Sequence, residues 1–179
     1  MSDFLRRLKL IDTLVTTLPL HKLEFVTRLS EITEKGGTGM FSDSFSVFSS
    51  STCEFKGEVN QDGFRIKRRR RMFDTKMNFA LASGSFQENN GQLTITTEIK
   101  GFNTIFLVFY IFLAIFYSIF IIGMLFAGGR FGLMGIPFVL LHALFMAGIP
   151  YFIMRRSVSR LKYDLEREFF YLTRASKME

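Results

Sequence analysis

The sequence contains one cysteine and two histidines, and both shortages exclude a class of site. With Cys53 alone, neither an intramolecular disulfide nor a cysteine-based metal cluster can form. His21 and His142 lie far apart in the sequence, whereas a zinc site gathers several nitrogen or sulfur ligands at one place. We therefore expect no metal site and no cofactor.

Charge is absent from two long stretches, residues 101–129 and 131–154, which are separated by Arg130 alone. Residues 105–126 (IFLVFYIFLAIFYSIFIIGMLF) are 22 uncharged residues. As a helix they would span about 33 Å, enough for a hydrocarbon core of about 30 Å. Residues 131–154 are also long enough to span that core. The composition therefore predicts a transmembrane hairpin of residues 102–154, with helices at about 104–126 and 131–154.

The basic residues beside these segments predict their orientation. Only Arg130 lies in the connection, whereas the outer flanks carry Lys100, Arg155, Arg156, Arg160 and Lys162. Positive flanks stay in the cytoplasm, so we expect both termini there. The opening MSDFLRRLK has no apolar stretch suited to a cleaved signal peptide, and we expect the first span to act as the targeting signal.

Residues 1–101 are typical of a small cytoplasmic α+β domain. Residues 8–18 are strand-like, and residues 21–34 carry an apolar stripe that favours an amphipathic helix. Four further strands are predicted at residues 52–60, 64–71, 76–87 and 92–100. Asp62-Gly63 and Asn90-Gly91 are strong hairpin turn signals, so the four strands should form an antiparallel meander. The predicted fold is an α+β membrane protein with a β-α-β-β-β-β domain followed by the hairpin.

Residues 155–179 continue the second apolar segment as a C-terminal amphipathic helix. One face carries the apolar residues Val158, Leu161, Leu165 and Leu172, with Phe169 one step further round. This spacing suits packing against the cytoplasmic domain or a short parallel bundle between protomers.

A run of basic residues, FRIKRRRRM at positions 64–72, is the clearest candidate binding element. Alternation along a strand would place Arg65, Lys67, Arg69 and Arg71 on one face, with Arg68 and Arg70 on the other. Basic groups close to an anionic leaflet contribute about 1 kcal/mol each, so we predict that all six bind acidic lipid or another anion, such as a nucleotide. The alternative is a solvated edge strand whose charges prevent aggregation. Nucleic acid is not an expected partner, because acidic residues dilute the positive field.

His142 is a polar group near the middle of the second apolar segment, which makes it a functional candidate. Folding the hairpin brings Tyr117 to about the same depth. A neutral His142 hydrogen-bonded to Tyr117 is one interpretation. The other is a polar group that lines a pore or proton path once several copies assemble.

Three short segments carry a family resemblance: FKGEV at 55–59, DGFRI at 62–66 and ASGSF at 82–86. The sequence resembles a group of uncharacterised two-pass membrane proteins of Bacteroidota-type bacteria that have a small cytoplasmic β domain. It is more distantly similar to the YcxB-like group, in which a small pleckstrin-homology-like β domain accompanies two membrane helices. In that group the helices precede the domain. The resemblance implies the bacterial inner membrane as the location.

No catalytic signature is present in the sequence: there is no Ser/His/Asp set, no recognisable pair of carboxylates and no nucleotide fingerprint. We therefore expect a non-catalytic inner-membrane protein with an assembly, scaffold or regulatory role, whose cytoplasmic domain binds a protein partner or an anionic lipid surface. The alternative is an oligomeric pore-forming or membrane-disrupting effector, gated by a ligand on the β domain. An enzyme is the third hypothesis.

Overall fold

The computed structural model describes residues 2–39, 53–69, 78–127 and 129–175. The chain divides into two compact units. The α+β unit comprises Met1–Phe102 together with Met154–Glu179, and the helical unit comprises Asn103–Ile153. Residues 155–179, predicted as a C-terminal amphipathic helix, therefore belong to the same unit as the sheet.

The α+β unit is built around a six-stranded sheet. In chain order its elements are α1 (Ser2–Arg7), β1 (Ile11–Leu18), α2 (Lys22–Glu31), β2 (Thr33–Lys35), β3 (Phe55–Val59), β4 (Gly63–Arg68), β5 (Leu81–Asn89) and β6 (Gln92–Lys100). The strand order across the sheet is β1-β6-β5-β4-β3-β2. Strands β3 to β6 form the predicted antiparallel meander, β1 adds antiparallel to β6, and β2 adds parallel to β3.

The turn between β5 and β6 follows directly from its two residues. Asn90 and Gly91 have φ angles of 51° and 75°, and Asn89 pairs with Gln92 on either side of them. Positive φ at both central residues is typical of a type I′ turn, whose twist matches that of the flanking strands. The hairpin predicted at Asn90-Gly91 is confirmed.

Two elements depart from the predicted β-α-β-β-β-β order. Helix α1 precedes the first strand, and residues 33 and 34, predicted as the end of a helix, belong to strand β2 (Thr33–Lys35) instead. The helix ends at Glu31, and the N–H of Phe55 donates a hydrogen bond to the carbonyl of Ile32 at 3.3 Å. A partner about twenty residues away thus draws this segment into the sheet, and local periodicity could not reveal that pairing.

The core lies on one face of the sheet, beneath α2 and the C-terminal part of the last helix, α4 (Gly129–Ala175). From α4 it takes Val158, Leu161, Leu165 and Phe169, with Leu172 packed against it. The Phe169 ring centroid lies 5.3 Å from that of Phe25 in α2. Of the two arrangements predicted for this amphipathic face, packing against the sheet domain is therefore the one found.

The helical unit consists of α3 (Thr104–Ala127, 24 residues) and the first part of α4, a helix of 47 residues in all. Both helices are long and apolar enough to cross a membrane. Large apolar side chains such as Ile119, Phe138 and Leu144 are exposed along them. Helix α4 passes through Pro137 and Pro150 without ending, so its last part joins the α+β unit as a continuation of the second apolar segment.

Candidate functional site

The predicted basic strand is a central strand of the sheet. Strand β4 pairs with β3 on one side and β5 on the other, so the interpretation as an edge strand is wrong. The strand ends at Arg68, and Arg69 follows it. Arg70 and Arg71 lie outside the described residues.

The four described basic residues of this strand do not share one exposed surface. Arg65 is exposed, whereas Lys67 and Arg69, expected on the same face, are buried. Lys67 Nζ donates a hydrogen bond to the carbonyl of Gly39 at 2.8 Å, and Arg69 Nε lies 3.1 Å from Glu34 Oε2. Alternation assigned these side chains to a face but could not show what packs on that face.

Arg68 points to the opposite face, where it meets helix α4. Its guanidinium forms an ion pair with the carboxylate of Asp164, a residue that is only 6% exposed. Two further arginines of α4, Arg156 and Arg160, line a cavity beside this pair. Asn78, Ser159 and Tyr163 complete the lining. We call this space, with a volume of about 330 Å³, the basic cavity.

The sequence positions these residues through the packing of α4. The apolar stripe of α4, with Val158, Leu161 and Leu165, faces the sheet and is buried. Residues beside such a stripe lie at the margin of the packed interface. Arg156 and Arg160 are one turn apart, and both project from the same side of α4. This i, i+4 spacing was visible in the sequence, but nothing local indicated that Arg68 would join it.

Donors predominate in the basic cavity. In the described parts of the chain, no group accepts a hydrogen bond from Arg156, Arg160 or the Tyr163 hydroxyl. The side-chain oxygen of Asn78 accepts from the N–H of Ala80 at 3.4 Å, which leaves its amide N–H groups as donors. The one carboxylate, on Asp164, is already paired with Arg68. The arrangement suits the binding of an anion.

Among the described residues, two other ion pairs join α4 to the sheet unit without lining the cavity. Partial burial alone would raise the pKa of Asp12, but hydrogen bonds from Lys162 Nζ at 2.9 Å and from the Thr13 N–H at 2.8 Å outweigh it. The pKa of Asp12 is therefore lower than its ordinary value. Arg167 Nη2 lies 2.9 Å from Glu168 Oε1 and 3.3 Å from Glu54 Oε2. The hydrogen bond to Glu168 raises the pKa of Arg167.

In the helical unit, the expected hydrogen bond between Tyr117 and His142 is present. The Tyr117 hydroxyl oxygen and His142 Nδ1 lie 2.5 Å apart. Tyr117 is buried and His142 is exposed at the surface of the unit. A second tyrosine, Tyr110, donates a hydrogen bond to the carbonyl of Ala147 at 2.9 Å. Both tyrosines of α3 thus bond to α4.

Within the described ranges, no three His, Cys, Asp or Glu side chains lie together as metal ligands would. No family model matches the sequence, and comparisons with curated proteins and with solved structures give no match.

Proposed function

We propose that this chain is a two-pass inner-membrane protein whose α+β unit is a non-catalytic binding module at the cytoplasmic membrane surface. Its role is that of an assembly, scaffold or regulatory subunit. The observation that carries the proposal is the continuity of α4. Its first part is an apolar helix with exposed side chains, and its last part fills the core of the sheet domain.

The charge distribution supports cytoplasmic termini. Arg155 and Arg156 directly follow the second apolar segment and are not buried, whereas Arg130 is the one charge between the two segments. Side chains of this kind remain on the cytoplasmic side during insertion. In this topology the sheet, which ends at Lys100, also lies on the cytoplasmic side.

The topology can be tested with single cysteines in a Cys53→Ser background. Arg130→Cys tests the connection, and Asp62→Cys is the matched site because Asp62 is fully exposed in the sheet domain. A membrane-impermeant maleimide should label position 130 in intact cells and position 62 only after permeabilisation. The protein should also stay in the membrane pellet at alkaline pH. Release into the supernatant would refute membrane insertion, and the reverse labelling pattern would refute cytoplasmic termini.

An oligomeric pore is the alternative function, and the exposure of His142 favours it. The bond to Tyr117 uses Nδ1, and in the described part of the helical unit Nε2 has no partner. A polar nitrogen facing lipid is costly, so contact with a second copy would stabilise it. Native mass spectrometry of the gently extracted protein distinguishes the two functions. A closed ring of four or more copies would favour the pore, and a monomer or dimer that carries another polypeptide would favour the binding module.

A further inference from the structure

We propose that the basic cavity binds a phosphate group, and that its source is the headgroup of an anionic phospholipid. The assignment to a lipid rests on the proposed membrane location. The phosphate chemistry rests on the cavity alone. The proposal also moves the anion site from the strand predicted by the sequence to the junction of β4 with α4.

The charge of the basic cavity favours an anionic ligand. The ion pair between Arg68 and Asp164 is neutral, so Arg156 and Arg160 give the described lining of the cavity a net charge of about +2. Like charges spaced i, i+4 on a helix repel each other. An anion held between the two guanidinium groups would relieve that repulsion. Arg167 offers a contrast on the same helix, because Glu168 and Glu54 neutralise it within the protein.

Donor chemistry suits an oxyanion such as phosphate. Guanidinium groups present planar, paired N–H donors that match phosphate oxygens and bind them in a bidentate manner. The amide of Asn78 and the hydroxyl of Tyr163 add neutral donors at the same cavity. The volume of about 330 Å³ is at the lower end of the range of about 300–1,000 Å³ found for small-molecule sites. A phosphate with a small substituent, such as glycerol, suits that size.

Asp164 has a positioning role in this site. It is buried, it belongs to the face of α4 that packs on the sheet, and it forms the ion pair with Arg68 from β4. Removing a buried carboxylate from such an ion pair destabilises the fold, because the partner charge is left without a counter-charge. It therefore holds one wall of the cavity in place while Arg156 and Arg160 remain available to a ligand.

The position of the arginines along α4 favours a lipid as the source. At 1.5 Å per residue, Arg156 and Arg160 lie about 3 Å and 9 Å along the helix from Met154, the last residue of the apolar segment. The headgroup layer beyond the hydrocarbon core is about 5–8 Å thick on each side. In the proposed topology the backbone of Arg156 therefore lies within that layer and the backbone of Arg160 lies just beyond it, so that both long side chains can reach lipid phosphates.

The test uses the purified full chain in a non-ionic detergent and native mass spectrometry of bound lipid. Short-chain phosphatidylglycerol is titrated against phosphatidylcholine of the same chain length, with inorganic phosphate as a separate ligand and competitor. The site variant is Arg156→Gln with Arg160→Gln. The matched control is Arg155→Gln with Arg174→Gln, which removes the same charge from the same helix outside the cavity lining.

We expect phosphatidylglycerol to bind at least tenfold more tightly than phosphatidylcholine. The site variant should lose that preference, and the control should keep it within about twofold. Thermal unfolding should change little in either variant, because the described residues make no ion pair with any of the four arginines and the i, i+4 repulsion that the site variant removes is small. Replacement of Arg160 by Lys should reduce binding partially, since Lys keeps the charge and loses the paired donors.

Each other outcome has a definite meaning. If inorganic phosphate binds as tightly as phosphatidylglycerol and the site variant abolishes both, the phosphate site is supported and the lipid source is refuted. If the site variant binds both like the unmodified chain, the cavity is not the site and the proposal is overturned. Release of the protein from membranes at alkaline pH would refute the proposed function, whereas the phosphate titration would still decide the site.

Discussion

Replacing Phe169 by Ala should destabilise the sheet domain strongly, although the residue lies more than sixty residues beyond the last strand in the sequence. The Phe169 side chain is completely buried, and its ring packs edge to face against two others. The centroid of the Phe169 ring lies 5.3 Å from that of Phe25 and 6.1 Å from that of Phe64. A Phe→Ala change in a core costs about 3–5 kcal/mol. We expect the upper half of that range because two aromatic contacts, each of about 0.5–1.5 kcal/mol, are lost as well.

The adjacent residue supplies a matched control. Phe170 is 61% exposed, so Phe170→Ala should change the free energy of unfolding by less than about 0.5 kcal/mol. Phe169→Leu keeps an apolar group in the same space and should fall between the two. The three variants change either Phe169 or its neighbour Phe170, so all of them lie at the same place on α4. A difference among them therefore reports burial rather than a general effect on the helix.

Hydrogen–deuterium exchange of the full chain in detergent, read by mass spectrometry, measures the effect locally. Amides of β4 and β6 that exchange only when the unit opens should exchange on the order of 10³-fold faster in Phe169→Ala. Peptides of α3 should be unchanged. Equal exchange in Phe169→Ala and Phe170→Ala would refute the conclusion that α4 completes the core of the sheet domain.

Three further substitutions test single contacts. Asp164→Asn should cost about 1–3 kcal/mol by chemical denaturation; this is below the value for a fully buried pair because the Arg68 side chain is 36% exposed. Asp12→Asn should cost at most about 1 kcal/mol at pH 7, since its pair with Lys162 is partly exposed to solvent. Because the folded-state pKa of Asp12 is lowered, its contribution is present above the ordinary value of 3.8 and is lost as the pH falls through the folded-state pKa. Gly84→Ala should lower Tm at a cost of about 1–3 kcal/mol, since a Cβ there would lie 2.3 Å from the ring of Phe64.

Two of these substitutions have an exposed counterpart, and the third is checked by its pH dependence. Asp62→Asn removes a fully exposed carboxylate and should be neutral, so an equal effect of Asp62→Asn and Asp164→Asn would contradict the buried pair. Ser85→Ala, on the exposed face of β5, is the control for Gly84→Ala. For Asp12→Asn, a stability difference from the unmodified chain that is already lost while the pH is still above the ordinary value of 3.8 would contradict the assignment of the lowered pKa.

Features that depend on local composition could be predicted from the sequence. An apolar run without charge is a property of consecutive residues, and both candidate membrane helices, α3 and the first part of α4, lie where that run places them. The turn at Asn90-Gly91 and the strand β6 are equally local, because a two-residue loop and a period of two need no distant partner. The apolar stripe of the last helix was predicted for the same reason.

Features that depend on contacts between distant residues were decided by the tertiary structure. Strand β2 exists because β3 pairs with it, and Lys67 and Arg69 are buried although their sequence suggests an exposed basic face. The basic cavity needs Arg68 to meet Asp164, 96 residues further along the chain. A single sequence shows which side chains share a face of a strand or helix. Which faces then meet depends on how the whole core packs, and that packing is where the proposed phosphate site arises.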